Sequence, residues 1–146
     1  MKVKRFFTLV LVIVALLNVG AMAAYNPPDS PDASAYIANY SARVINGGNG
    51  NLKVSFDVTG TATMARLGAT SISIYRSNGT YVTTIHSGDA GRSGMMASNT
   101  IYHGHMESVY VGAGSYYAVV IFYAKNYSGG IGTKTVQTAT KTITNP

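Results

Sequence analysis

Leu52, Val54, Phe56 and Val58 alternate with Lys53, Ser55, Asp57 and Thr59, a period of two that predicts a half-buried β-strand over residues 52–58. Similar stretches recur at 71–76, 81–85, 101–111, 116–125 and 133–143, separated by segments containing glycine, asparagine or serine. The run Asn46-Gly47-Gly48-Asn49-Gly50 tolerates positive φ, so residues 43–45 and 52–58 are read as neighbouring strands joined by a turn. Asn78-Gly79 is a strong hairpin signal between 71–76 and 81–85. A two-residue turn there pairs Ile72 with Ile85 and Ile74 with Thr83. One bulged residue brings Val82 opposite Ile74 instead, and the pattern leaves both registers open. Tyr36, Ile37 and Tyr40 suit either a short helical turn entered at Ser30-Pro31 or a strand beginning near Tyr36; the reading adopted is an irregular turn followed by a strand over 40–45.

Residues 88–99 keep no sustained period and are read as a loop crossing between sheets. Residues 116–124 are apolar on both faces, as expected of a strand central in its sheet. The threonine-rich stretch 133–143, with Lys134 and Lys141, suits a protected edge. Seven strands in the region 35–146 predict an all-β fold, an antiparallel β-sandwich of the immunoglobulin type rather than a closed barrel.

The stretch Gly114-Ser115-Tyr116-Tyr117-Ala118-Val119-Val120-Ile121-Phe122-Tyr123-Ala124-Lys125-Asn126 resembles the penultimate strand of fibronectin type III domains. The chain has no tryptophan, so the resemblance implies that Phe56 takes the place of that family's buried tryptophan. With Met64-Ala65-Arg66-Leu67-Gly68-Ala69-Thr70-Ser71-Ile72-Ser73-Ile74-Tyr75 as the recurring element, the chain also resembles small secreted sandwich proteins of Gram-positive, clostridial-type bacteria, a likeness that implies no activity.

The strand pattern starts late because the first residues belong to a different kind of segment. Lys2, Lys4 and Arg5 precede an apolar run of 14 residues from Phe6 to Val19, and Ala21-Met22-Ala23-Ala24 follows. This is the layout of a secretory signal peptide over 1–23, cut between Ala23 and Ala24; a spanning helix needs about 20 apolar residues. Residues 24–34 hold three prolines in Pro27-Pro28-Asp29-Ser30-Pro31 and read as an extended spacer. The expectation is a chain secreted to the medium or loosely associated with the cell wall, with no membrane contact after cleavage. Cysteine is absent, which excludes disulfides and a lipidated cysteine.

Removing the signal lowers the formal charge from +6 to +3, with 8 basic residues against 5 acidic ones. The remaining cations stand singly, without the basic patch of a nucleic-acid-binding protein. His103-Gly104-His105 places two imidazoles on one strand face about 7 Å apart, a spacing that metal sites use. Glu107 continues that face, and His86 is the other candidate ligand. No third ligand is demanded by the spacing, so no metal or other cofactor is assigned. The folded region offers Asp57, Asp89 and Glu107 without a close carboxylate pair. Gly91-Arg92-Ser93-Gly94 lacks the glycine of a nucleophile elbow. The reading is therefore a non-enzymatic surface-contact module with a protein or glycan partner outside the cell. Asn39, Asn78 and Asn126 begin glycosylation sequons but are read as turn asparagines. The alternative to protein contact is a carbohydrate-binding module in which Tyr75, Tyr110, Tyr116 and Phe122 form an exposed platform.

Overall fold

The computed structural model describes residues 35–145, so the segments expected to be a signal peptide, with its Ala23-Ala24 junction, and a spacer lie outside the described residues. Seven strands follow: β1 Ile37–Gly48, β2 Asn51–Arg76, β3 Tyr81–His86, β4 Met96–Tyr110, β5 Gly114–Lys125, β6 Ile131–Gln137 and β7 Lys141–Ile143. Every strand pairing is antiparallel. One 3-10 turn, Ser93–Met95, precedes β4. No helix of the described residues is long and apolar enough to cross a membrane.

Two long strands organise the molecule. The first half of β2 pairs with β1 on one side and with residues 102–110 of β4 on the other. Its second half pairs with β5 on one side and with β3 and the start of β4 on the other. The β2–β4 register shifts between Thr59 and Met64, a local insertion that bends the paired strands together. The chain thus forms two layers sharing β2 and β4. Layer one is β1, β2 and the end of β4; layer two is β3, β2, β5 and β6, with β7 continuing the β6 edge. β1 packs across onto β5, β6 and β7.

Leu52, Val54, Phe56 and Val58 face inward and are buried, as their alternation predicts. They meet Ile72, Ile74, Tyr116, Ala118, Val120, Phe122 and Ala124 of layer two in one core. Phe56 and Phe122 lie edge to face, 5.9 Å between centroids, and Tyr40 tilts onto Phe122 at 5.5 Å. The Tyr116 hydroxyl donates to the Val111 carbonyl at 2.8 Å, pinning the turn that leads into β5.

Four boundaries differ from the sequence reading. β1 begins at Ile37, without the irregular turn before Tyr40. Residues 52–58 and 71–76 belong to one strand of 26 residues, because pairing with β4 and β5 carries the backbone through the corner. Residues 96–99 join β4 rather than the preceding loop. Residues 133–143 split into β6 and β7 around Thr138, whose hydroxyl accepts from Ala118 N–H at 3.0 Å while its own N–H donates to the Ala118 carbonyl at 2.9 Å. The hairpin keeps Ile72 opposite Ile85 and Ile74 opposite Thr83. It does so through a three-residue loop, Ser77-Asn78-Gly79, closed by Arg76 N–H to Thr80 O at 2.8 Å. Gly79 takes φ +86°, the left-handed position of that loop, and a register shift between Ile74 and Tyr75 restores the pairing.

Candidate functional site

β4 carries the histidine pair, and the register fixes which way it faces. His103, His105 and Glu107 stand opposite Val58, Phe56 and Val54, so they lie on the inner side of layer one, at the edge of the sandwich. Residues 87–95 cover them. Nε2 of His103 is 2.8 Å from the Gly94 carbonyl and Nε2 of His105 is 3.0 Å from Oε1 of Glu107. The rings stack at 6.1 Å with planes 12° apart, each meeting Phe56 edgewise at 6.0 Å. Arg92 forms an ion pair with Glu107 and also donates to the Ser108 carbonyl at 3.3 Å. Glu107 is only 5% exposed, and a buried carboxylate without such partners is costly. Arg92 therefore fastens the loop to the strand. Gly94 packs so closely on the His105 ring that a Cβ there would collide with it.

This arrangement explains the fate of the metal candidates. The Nε2 atoms of His103 and His105 are already engaged, while His86 is exposed on β3 opposite Ser71. Among the described residues no three histidine, cysteine, aspartate or glutamate side chains stand close enough to hold a metal ion. The sequence reading missed Arg92. The need for a cation there becomes visible only once pairing with β2 turns Glu107 inward and buries it.

The proposed platform of Tyr75, Tyr110, Tyr116 and Phe122 is not formed. Tyr116 and Phe122 belong to the inward row of β5 and are 0% exposed. Tyr110 lies on the outer face of layer one, and Tyr75 on that of layer two. Tyr75 stacks on Tyr117 at 5.3 Å with planes 12° apart, and meets Tyr81 edgewise at 5.8 Å. Rings stacked on each other do not lie side by side as a flat sugar-binding platform does. The outward row of β5 is Tyr117, Val119, Ile121 and Tyr123.

The residues that do converge outward are on layer one. Along β4, Tyr102, Met106 and Tyr110 are exposed in line, at 53%, 47% and 69%. Beside Tyr102 lies a shallow pocket of about 240 Å³ lined by Asn39, Tyr40, Ser41, Asp57, Thr59 and Tyr102. The Tyr102 hydroxyl donates to Oδ1 of Asp57 at 2.6 Å, and Ser41 Oγ donates to Oδ2 at 3.2 Å. The hydrogen bond to Asp57, followed by the charge of that carboxylate, raises the Tyr102 pKa above its ordinary value. Both Asp57 oxygens are occupied, and the pocket offers hydroxyl, amide and carboxylate groups beside one aromatic ring. Such a set suits binding through hydrogen bonds and ring contact.

No family model and no curated protein matches the chain. Among solved structures it is similar to the ApaA protein from Bordetella pertussis, with 9% identity and a TM-score of 0.44, covering 74% of this chain and 91% of that one. It is also similar to CopC from Methylosinus trichosporium OB3b, with 18% identity and a TM-score of 0.34, covering 75% of this chain and 93% of that one.

Proposed function

We propose that this chain is a secreted, non-enzymatic module of the immunoglobulin type that binds a protein partner outside the cell, with the outer face of layer one as its contact surface. The observation carrying this reading is the exposed line Tyr102, Met106 and Tyr110 on one strand. Tyrosine and methionine are enriched where proteins meet, because they supply large contact area and a tyrosine does so at low entropy cost. Export rests on the N-terminal layout described above. The immunoglobulin-type assignment is supported by the separation into β1–β2–β4 and β3–β2–β5–β6, and by the Tyr116 hydroxyl reaching back to Val111 before the penultimate long strand.

The test is retention of proteins from the growth medium and cell envelope by the chain, compared with a Tyr102→Ser/Tyr110→Ser variant. The expected result is specific retention that falls about tenfold or more in the variant. Equal retention by both, or none by either, contradicts the reading. The polar pocket at Asp57 favours a second reading, a glycan held beside the Tyr102 ring. Binding on a glycan array that is lost in Asp57→Ala, without any protein retention, would establish that alternative.

A further inference from the structure

We infer that two copies of this chain pair through the free edge of β4, antiparallel and centred on Met106, forming a continuous sheet β1–β2–β4–β4–β2–β1; this deepens the contact surface proposed above and rests on that reading. β4 pairs only with β2 among the described residues. The hydrogen bonds around residues 102–110 show which backbone groups face away from β2. Val111 N–H is directed to Gly50 O, the Ser108 carbonyl meets Arg92, and the Tyr102 carbonyl and amide meet Thr100. In an antiparallel ladder the direction alternates, so the backbone groups of Gly104, Met106, Ser108 and Tyr110 point to the free edge.

An exposed edge is ordinarily protected by lysine, proline or a bulge. Residues 102–110 contain no lysine, arginine, aspartate or proline, and their single carboxylate, Glu107, points inward onto Arg92. The outward side chains run Tyr102, Gly104, Met106, Ser108, Tyr110, large and small in an order that reads alike in both directions. That symmetry selects a second copy as the occupant. A two-fold axis at Met106 sets Gly104 opposite Ser108 and Tyr102 opposite Tyr110 of the other copy; Met106 with its own counterpart and each Gly104–Ser108 pair exchange two backbone hydrogen bonds, while Tyr102, whose amide is held by Thr100, meets Tyr110 through its side chain. On the inner face the same register sets His105 opposite Glu107 of the second copy, so no two like charges face each other across the axis. The Ser108 carbonyl retains a lone pair for the new bond while it holds Arg92. Pairing would also join the two Tyr102–Met106–Tyr110 lines into one surface.

The test is the mass in solution, by sedimentation equilibrium, of protein purified from cells expressing residues 1–146, with Met106→Lys and Met106→Glu variants measured alone and mixed. Met106 is exposed, so both variants are expected to keep the native circular dichroism spectrum. The expected result is a dimer for the parent, a monomer for each variant alone, and a dimer again in the equimolar mixture. A parent that stays monomeric to about 1 mM, beyond which any association is weaker than about 4 kcal/mol, overturns the pairing, as does a Met106→Lys variant that still dimerises. Dimerisation lost in both variants without recovery on mixing overturns the register centred on Met106. A monomeric parent that still retains a partner through Tyr102 and Tyr110 would defeat the pairing alone. An intact dimer that retains no partner would defeat the functional reading alone.

Discussion

Glu107 and Asp57 lie on opposite faces of layer one and meet opposite circumstances. Glu107 is buried and depends on Arg92, which comes from a loop. Arg92→Ala leaves that carboxylate with only His105 as a polar partner and is expected to destabilise the fold by about 2–3 kcal/mol, read from the shift in urea midpoint. Asp57 is exposed and shapes its neighbour instead, raising the Tyr102 pKa by accepting its hydroxyl proton in a hydrogen bond. A phenol whose folded value is raised contributes stability that is fully present below its ordinary value near 10 and is lost as pH rises through the folded value. Ultraviolet titration should therefore show a late-ionising contribution from Tyr102 that is lost in Tyr102→Phe and moves to lower pH in Asp57→Asn. Neither site was fully legible from sequence. The even spacing of His103, His105 and Glu107 was readable, but β4 has polar residues on both faces, so nothing in its pattern says which face turns inward.

At the scale of the strand, alternation succeeded where one face is wholly apolar. Leu52, Val54, Phe56 and Val58 are inward as expected, and β5 is central with β6 at the edge. Boundaries were less legible because backbone pairing, rather than side-chain pattern, decides them. Residues 60–70 have a mixed pattern without strict alternation, yet β2 continues through them because its neighbours change from β1 to β5 along its length. The break after β6 depends on Thr138, a buried threonine in a run rich in exposed ones. Thr138→Val preserves the shape but leaves Ala118 N–H without its side-chain acceptor, and should cost about 1–3 kcal/mol in chemical denaturation. Phe56→Ala, which empties the junction between the layers, should cost more, about 3–5 kcal/mol by the same measurement.

For the molecule as a whole, two layers joined by shared strands bury one core and leave two outer faces that differ in chemistry. The aromatics of layer two, Tyr75, Tyr81 and Tyr117, pack against one another, whereas Tyr102, Met106 and Tyr110 on layer one stand in line and exposed. The sequence could count the tyrosines but could not sort them, because the sorting depends on which strands become neighbours. The central claim is that the outer face of layer one is the contact surface. Hydroxyl-radical footprinting of the chain, with and without the proteins it retains from the growth medium and envelope, tests it most directly. The account predicts that oxidation of Tyr102, Met106 and Tyr110 falls on addition of those proteins while that of Tyr75, Tyr81 and Tyr127 is unchanged; protection of Tyr75 and Tyr81, with Met106 and Tyr110 as reactive as before, would contradict it.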